Sequence, residues 1–353
     1  MYMNASMAPA AATAFPDAHE DALSRLYAGH SLGEAEAHSL FEALVDGRLD
    51  DPTMAAMLIA LRLKGETAPE LTGAARALRA ADAPFPRPDY LFADTCGTGG
   101  DGSGSINVST AAAFVAAACG LPVAKHGNRS ITSRCGSADV LEQLGARLDI
   151  PAETARRALD ETGICFLLAP LYHPGLKHAG PVRRALKVRT IMNILGPCVN
   201  PAEPQVQLLG VADPRMIAPV AETLAALGVG RALVVHGAGL DEIALHGESE
   251  AILLAEGEMR SLRLSPEQAG LQRRPLATIK GAGPEENAAR LSALLKGEGA
   301  AAETEVVALN AGALLMTAGL APDLHDGVAL ALDAIRSGTP SRHLKMFVEA
   351  TND

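Results

Sequence analysis

No apolar run in this chain is long and uninterrupted enough to cross the hydrocarbon core of a bilayer, so a membrane-spanning protein is not expected. Met1–His19 has no basic segment ahead of an apolar one, so a signal peptide is not expected either. The five cysteines, Cys96, Cys119, Cys135, Cys165 and Cys198, are odd in number, and no two share metal-ligand spacing. That argues against a disulfide framework or a zinc site and for reduced thiols in the cytoplasm. Tryptophan is absent, which excludes nothing. Positive charge is scarce: 30 Lys and Arg stand against 41 Asp and Glu, for a net charge of −11. Long-range attraction to nucleic acid is therefore not expected, and any phosphate site must be a local pocket of backbone N–H groups and a few cations.

Against these absences, 48% of the 353 residues are hydrophobic and 20% charged, enough for one large core or two moderate ones. Three amphipathic helices are readable early. One runs from Ser31, with Glu34 as a capping-box partner, through Ala37, Leu40, Phe41 and Leu44 to Gly47. A second starts at Asp51-Pro52 and buries Met54, Met57, Leu58 and Leu61. A third starts at Thr67 with Glu70 and buries Leu71, Ala74, Ala75 and Leu78. Residues 83–89 hold three prolines in seven positions and read as a linker.

After the linker, short apolar runs alternate with alanine-rich helical segments. Strands are predicted at Tyr90–Asp94, Pro122–Lys125, Ile164–Leu168, Gln207–Val211, Ala232–His236 and Val306–Asn310. Helices are predicted near Thr110–Cys119, Ala138–Leu144, Pro151–Thr162 and Met216–Leu227, and a hairpin at Glu250–Leu254 and Met259–Leu264. The fold class is thus α/β: a small N-terminal α-helical domain plus a larger α/β domain with a mainly parallel central sheet flanked by helices. The expected division is a loose tail (1–19), a helical domain (20–82, joined by a helical segment from 175–195), a linker (83–89) and the α/β domain (90–350).

The first of these strands runs into Thr95-Cys-Gly-Thr-Gly-Gly-Asp-Gly-Ser-Gly-Ser105, followed by a helix after Asn107-Val-Ser-Thr110. Consecutive N–H groups in such a loop can form a nest for phosphate oxygens at a helix N-terminus. Gly97, Gly99 and Gly102 match the dinucleotide fingerprint in letters only. No Asp or Glu occurs from Gly102 to Ala138, so the ribose-binding acid of a dehydrogenase is missing. No Gly-Lys-Ser/Thr follows, so a Walker loop is missing too. Taken alone, the glycines fit an ordinary strand-to-helix turn as well.

The next strand ends in Lys125-His-Gly-Asn-Arg-Ser130, at the same sheet edge as the glycine loop. In open α/β sheets that edge binds ligands. Lys125 and Arg129 can neutralise phosphate, Asn128 can orient a ligand, and His126 fits substrate contact and loop packing equally.

Gly97–Asp101, Asn107–Thr110, Lys125–Arg129 and Gly136–Glu142 occur in the order and spacing of the anthranilate phosphoribosyltransferase family, which this sequence resembles. His173–Lys177, Pro181–Arg184, Arg189–Asn193, Leu195–Pro197, Asn200-Pro201, Gly239–Ile243 and Pro284–Asn287 extend the resemblance over roughly residues 20 to 350. It implies transfer of phosphoribose from phosphoribosyl pyrophosphate to the amine of anthranilate, in a cleft between the two domains of a homodimer joined through its helical domains. Gly97, Gly99, Gly100, Asp101, Ser105, Asn107, Ser109, Thr110, Lys125 and Ser137 are then the residues for phosphoribosyl pyrophosphate. Gly97, His126, Asn128, His173 and Arg183 line the anthranilate path. Asp241 and Glu242, with Ser109, are the Mg²⁺ ligands. Lys125, Asp241 and Glu242 are the catalytic groups. The sequence departs from the expected pattern at Ile106, Cys135, Gly175-Leu176 and Cys198, none of which removes a ligand.

No residue stands out as a general base, so positioning and leaving-group stabilisation are expected to carry the rate. The alternatives are a pyrimidine-nucleoside phosphorylase and a non-catalytic nucleic-acid-binding paralogue. The negative charge and the retained Asp241-Glu242 pair argue against the second.

Overall fold

Residues 31–80 carry helix signals at close spacing, and helices form there. The computed structural model describes residues 17–130 and 134–353. Helices α1 (Asp17–Tyr27), α2 (Glu34–Val45), α3 (Asp51–Lys64) and α4 (Ala68–Ala80) pack through Leu26, Leu40, Phe41, Leu44, Met57, Leu58, Leu61 and Leu71, all buried. The Asp50 side chain caps α3 by accepting from Thr53 N–H at 2.8 Å. The capping box predicted at Ser31 lies two residues later, where Glu36 accepts from Gly33 N–H at 2.8 Å. Leu32 forces this shift: its side chain is buried and its N–H is taken by Glu70 at 2.8 Å, so the chain turns only after it. Helix α1 was not anticipated. Residues 1–16 of the expected tail lie outside the described residues, and residues 17–19 already belong to α1.

The remainder alternates strand and helix: β1 (Ala93–Gly97), α5 (Val108–Ala118), β2 (Val123–Gly127), α6 (Ser137–Gln143), α7 (Ala152–Thr162), β3 (Ile164–Leu168), α8 (Ala169–Tyr172), α9 (Gly180–Leu186), α10 (Ile191–Cys198), β4 (Val206–Gly210), α11 (Ile217–Ala226) and β5 (Arg231–Gly237). The hairpin β6 (Ser249–Ala255) and β7 (Glu258–Leu264) follows, then α12 (Pro284–Leu295), α13 (Ala301–Ala318), α14 (Leu324–Arg336) and α15 (Thr339–Asn352). The sheet order is β3-β2-β1-β4-β5-β6-β7, parallel through β5 and antiparallel beyond it.

Side chains divide between the sheet faces with period two. Leu208, Leu233 and Val235 face the core built on α5 and α13, while Leu209, Ala232 and Val234 face the core shared with α1–α4. Val182 of α9 and Ile191, Ile194 and Leu195 of α10 join that second core, so these two helices pack with the N-terminal bundle.

Two strand predictions need correction. The first strand begins three residues late because Tyr90 and Phe92 are held by side chains. Gln205 Nε2 donates to Tyr90 C=O at 3.2 Å, and Phe92 N–H donates to the Gln205 amide oxygen at 3.1 Å. Val306–Asn310 is not a strand but the middle of α13, an 18-residue helix. Thirteen of its residues are buried, on every face, and a helix apolar all round has no periodicity to distinguish it from a core strand. Among the described residues no helix is long and apolar enough to cross a membrane.

Candidate active site

Four parallel strands, β1, β2, β4 and β5, release their C-terminal loops at one edge, and the chain reverses its winding direction between β1 and β4. Strands β1, β4 and β5 end in Gly97, Gly210 and Gly237. A methyl group on Gly97 would overlap the Asp241 carboxylate. On Gly210 it would strike the Asp241 backbone oxygen, and on Gly237 the Glu242 carbonyl. The absence of three side chains is thus what lets Asp241-Glu242 lie across three strand ends.

Asp241 is buried and accepts from Gly99 N–H at 2.5 Å, which ties the acidic segment to the glycine loop. Burial pushes the Asp241 carboxyl above its usual range, and the neighbouring Asp101 carboxylate pushes it further. Glu242 is raised by burial and then by Asp241, while Lys125 opposes the rise. The Lys125 ammonium is itself buried, donating to Thr95 C=O at 2.5 Å and Ser109 Oγ at 3.3 Å. Behind it lies the fully buried Asp94, which accepts from His126 N–H at 3.3 Å and Asn200 Nδ2 at 2.9 Å.

Neither Asn310 nor Asn200 was proposed from sequence as a site residue, yet both brace this region. From α13, Asn310 accepts from Ile243 N–H at 2.9 Å and donates to Ile243 C=O at 3.1 Å, clamping the residue after Glu242. Local sequence holds no signal for this contact, because 67 residues separate the partners.

The glycine loop holds Gly99, Gly100, Gly102 and Gly104 at positive φ; Gly99, Gly102 and Gly104 have open space beside them, while the Arg189 guanidinium lies over Gly100. Asp101 accepts from Ser103 N–H at 3.1 Å, and Ser105 N–H donates to Ser103 Oγ at 3.2 Å. Asn107 precedes α5 and accepts from Asn287 Nδ2 at 3.1 Å, which ties the Pro284–Asn287 segment to the start of α5. Ser109 sits in the first turn of α5 beside Lys125, whereas Thr110 is buried in the helix. Ser137 opens α6, its hydroxyl donating to Asn128 C=O at 3.3 Å. Arg189, also missed as a site residue, reaches across to the Gly99 carbonyl and to Thr98 Oγ1 at 3.2 Å. It borders a cleft of about 630 Å³ that also meets Arg62, Lys64, Gly100 and Asp101.

On the other side of Thr98 lies a pocket of about 220 Å³. Gly97, His126, Asn128, His173 and Arg183 all line it. The Arg183 guanidinium makes no hydrogen bond or ion pair with any described residue, and burial lowers its pKa. An unpaired, part-buried planar cation is suited to a carboxylate.

Asp241, Glu242 and the adjacent Asp101 offer hard oxygen donors, and their crowding is what a divalent cation would relieve. They do not form a closed cage. Among the described residues the carboxylate and imidazole group with mutually close ligand atoms is the exposed Asp323–His325–Asp326 set, away from the strand ends. An open acidic pair fits Mg²⁺, which takes one or two carboxylates and completes its shell with water and phosphate.

Residues 89–341 match the glycosyl transferase family, a/b domain, and residues 20–81 match the glycosyl transferase family, helical bundle domain. The anthranilate phosphoribosyltransferase of Sorangium cellulosum (strain So ce56) is 56% identical over 328 residues, covering 93% of this chain and 94% of that one. The chain belongs to the anthranilate phosphoribosyltransferase family. The crystal structure of the Thermus thermophilus member is similar over 94% of this chain and 100% of that one, with a TM-score of 0.90 at 45% identity. The Saccharomyces cerevisiae member, solved in complex with phosphoribosyl pyrophosphate and Mg, covers 95% and 98% with a TM-score of 0.87 at 25% identity. Membership in this family answers the phosphorylase, dehydrogenase and nucleic-acid-binding alternatives in favour of a phosphoribosyl-transferring enzyme of tryptophan biosynthesis.

Proposed function

We propose that this chain transfers the 5-phosphoribosyl group from phosphoribosyl pyrophosphate to the amine of anthranilate, releasing pyrophosphate. The observation that carries the reading is the acidic Asp241-Glu242 segment bound to the glycine loop beside a small pocket lined by the Arg183 guanidinium, which pairs with no described residue. The nest of the glycine loop, Asn107, Ser109 and the Lys125 ammonium hold the phosphate-bearing donor. Arg183 pairs with the anthranilate carboxylate, and Asn128 orients the ring, so that the amine faces C1.

The C1–O bond to pyrophosphate breaks with its electron pair on oxygen, the C1–N bond forms, and the amine proton leaves to water. Lys125 meets the charge that grows on the leaving side. Mg²⁺, held by Asp241 and Glu242 with Ser109 nearby, supplies further charge neutralisation when bound.

A cytoplasmic setting goes with this reading, since Cys96, Cys165 and Cys198 are buried thiols outside any disulfide.

Mixing the protein with phosphoribosyl pyrophosphate, Mg²⁺ and anthranilate, and following loss of anthranilate fluorescence, tests the reading. Turnover is expected to require Mg²⁺. The Asp241→Asn/Glu242→Gln double variant is expected to fall by ~10²-fold or more in kcat, the scale of lost electrostatic stabilisation. Folded wild-type protein with no turnover would reject it.

A further inference from the structure

One buried chain of side chains remains unused by the chemistry above. His126 Nδ1 lies 3.1 Å from the Gly196 carbonyl, which can only accept, so this nitrogen carries a proton. The ring is buried and neutral: burial, followed by the adjacent His173, lowers its pKa to about 3. A neutral ring protonated at Nδ1 has a bare Nε2. That atom lies 3.0 Å from His173 Nε2, which must therefore carry the proton and donate. The rings meet edge to face, with centroids 4.9 Å apart.

His173 Nδ1 in turn contacts Asp82 Oδ1, and one proton lies between them. Asp82 holds it as a neutral acid, or His173 holds it as an imidazolium. In both cases His173 keeps its Nε2 proton pointed at His126. The Asp82 side chain is 9% exposed, and its other oxygen has no partner. Asp82 lies just beyond α4, where the helical bundle gives way to the proline linker, and the next residue donates its backbone N–H to Tyr172 C=O at 2.8 Å.

Every ring nitrogen of the two histidines is thus spent inside the protein. Both rings line the acceptor pocket, yet neither offers it a base. We propose that Asp82 is a positioning residue for the acceptor pocket, locking His173 and through it His126 as fixed ring walls with their nitrogens turned away from the substrate. The proposal rests on the reading that this pocket takes anthranilate. It also ties the pocket wall to the junction of the two domains, since Asp82 leaves the bundle as His126 leaves the sheet.

Steady-state kinetics of Asp82→Ala and Asp82→Asn test it. Alanine frees His173 to turn, and the expected result is a roughly tenfold rise in KM for anthranilate, the size of one lost buried hydrogen bond, with kcat and KM for phosphoribosyl pyrophosphate within about twofold. Asparagine can donate to His173 Nδ1 and is expected to recover most of that loss. Equal rises in both KM values, or an Asp82→Asn enzyme no better than Asp82→Ala, would overturn the proposal.

If Asp82→Ala fails to fold, ¹⁵N imidazole shifts of the wild-type chain decide, with signals assigned through His126→Gln and His173→Gln. Protons on His126 Nδ1 and His173 Nε2 support the chain. A proton on His126 Nε2 refutes it. Absence of any anthranilate turnover would count against the functional reading instead, and the nitrogen shifts would still report on the chain.

Discussion

Asn310 spends its whole side-chain amide on backbone. Two of its contacts hold Ile243, and the third returns to Val306 C=O at 2.9 Å within its own helix. Asn310→Leu leaves the Ile243 N–H and C=O buried without partners, a cost of about 2–4 kcal/mol. The Asp241-Glu242 segment then loses its brace. Metals whose ligands lose a supporting hydrogen bond bind ~10–100-fold more weakly. Titrating Mg²⁺ into turnover assays should show its half-saturating concentration rising on that scale in Asn310→Leu. An unchanged Mg²⁺ requirement would reduce Asn310 to a folding role.

Among the elements, α4 depends on one acid that joins three helices. Glu70 is fully buried. It accepts from Thr67 N–H at 2.9 Å, from Lys64 Nζ at 2.8 Å at the end of α3, and from Leu32 N–H ahead of α2. The sequence showed only the first of these, because a capping box is local. Removing the carboxylate strands a part-buried ammonium and two N–H groups. Glu70→Ala should therefore lose about 3 kcal/mol in denaturant unfolding, and Glu70→Gln about half of that. The element misread from sequence, α13, shows the opposite case. Its amphipathic signal is erased because sheet, α5 and α14 cover it on all sides, and Gly312 lets the α14 backbone approach where a methyl group would overlap Val328.

For the whole molecule, the relevant geometry is the seam between bundle and sheet. Arg62 at the end of α3 donates to the Arg189 carbonyl, and Arg189 reaches the glycine loop, so groups from both domains border the cleft of about 630 Å³. A ligand there stabilises both at once. With phosphoribosyl pyrophosphate and Mg²⁺ at a hundredfold their dissociation constants, linkage contributes about 2.7 kcal/mol, which a thermal melt reads as a shift of several degrees. Asp241→Asn/Glu242→Gln should lose the Mg²⁺-dependent part of that shift. An identical shift in the double variant would place the metal elsewhere.

Periodicity, prolines and capping residues determined the α/β class, the helical start, five of the six predicted strands to within a few residues and the hairpin, because those signals are short-range. Motifs at two neighbouring strand ends brought out Gly97, Asp101 and Lys125 as candidates, because a glycine loop and a nearby cation are local signals. Asp241 and Glu242 came forward only through the family resemblance, since an adjacent acidic pair by itself reads as a solvated loop. Tertiary structure alone decided that β1, β4 and β5 must end in glycine so that an acidic segment can cross them. It alone joined Asp82, His173 and His126 into one hydrogen-bonded chain. The physical reason is distance along the chain. Partners 47, 67, 91 or 142 residues apart leave no local pattern, and meet only once the sheet order and the packing of the bundle have placed them together.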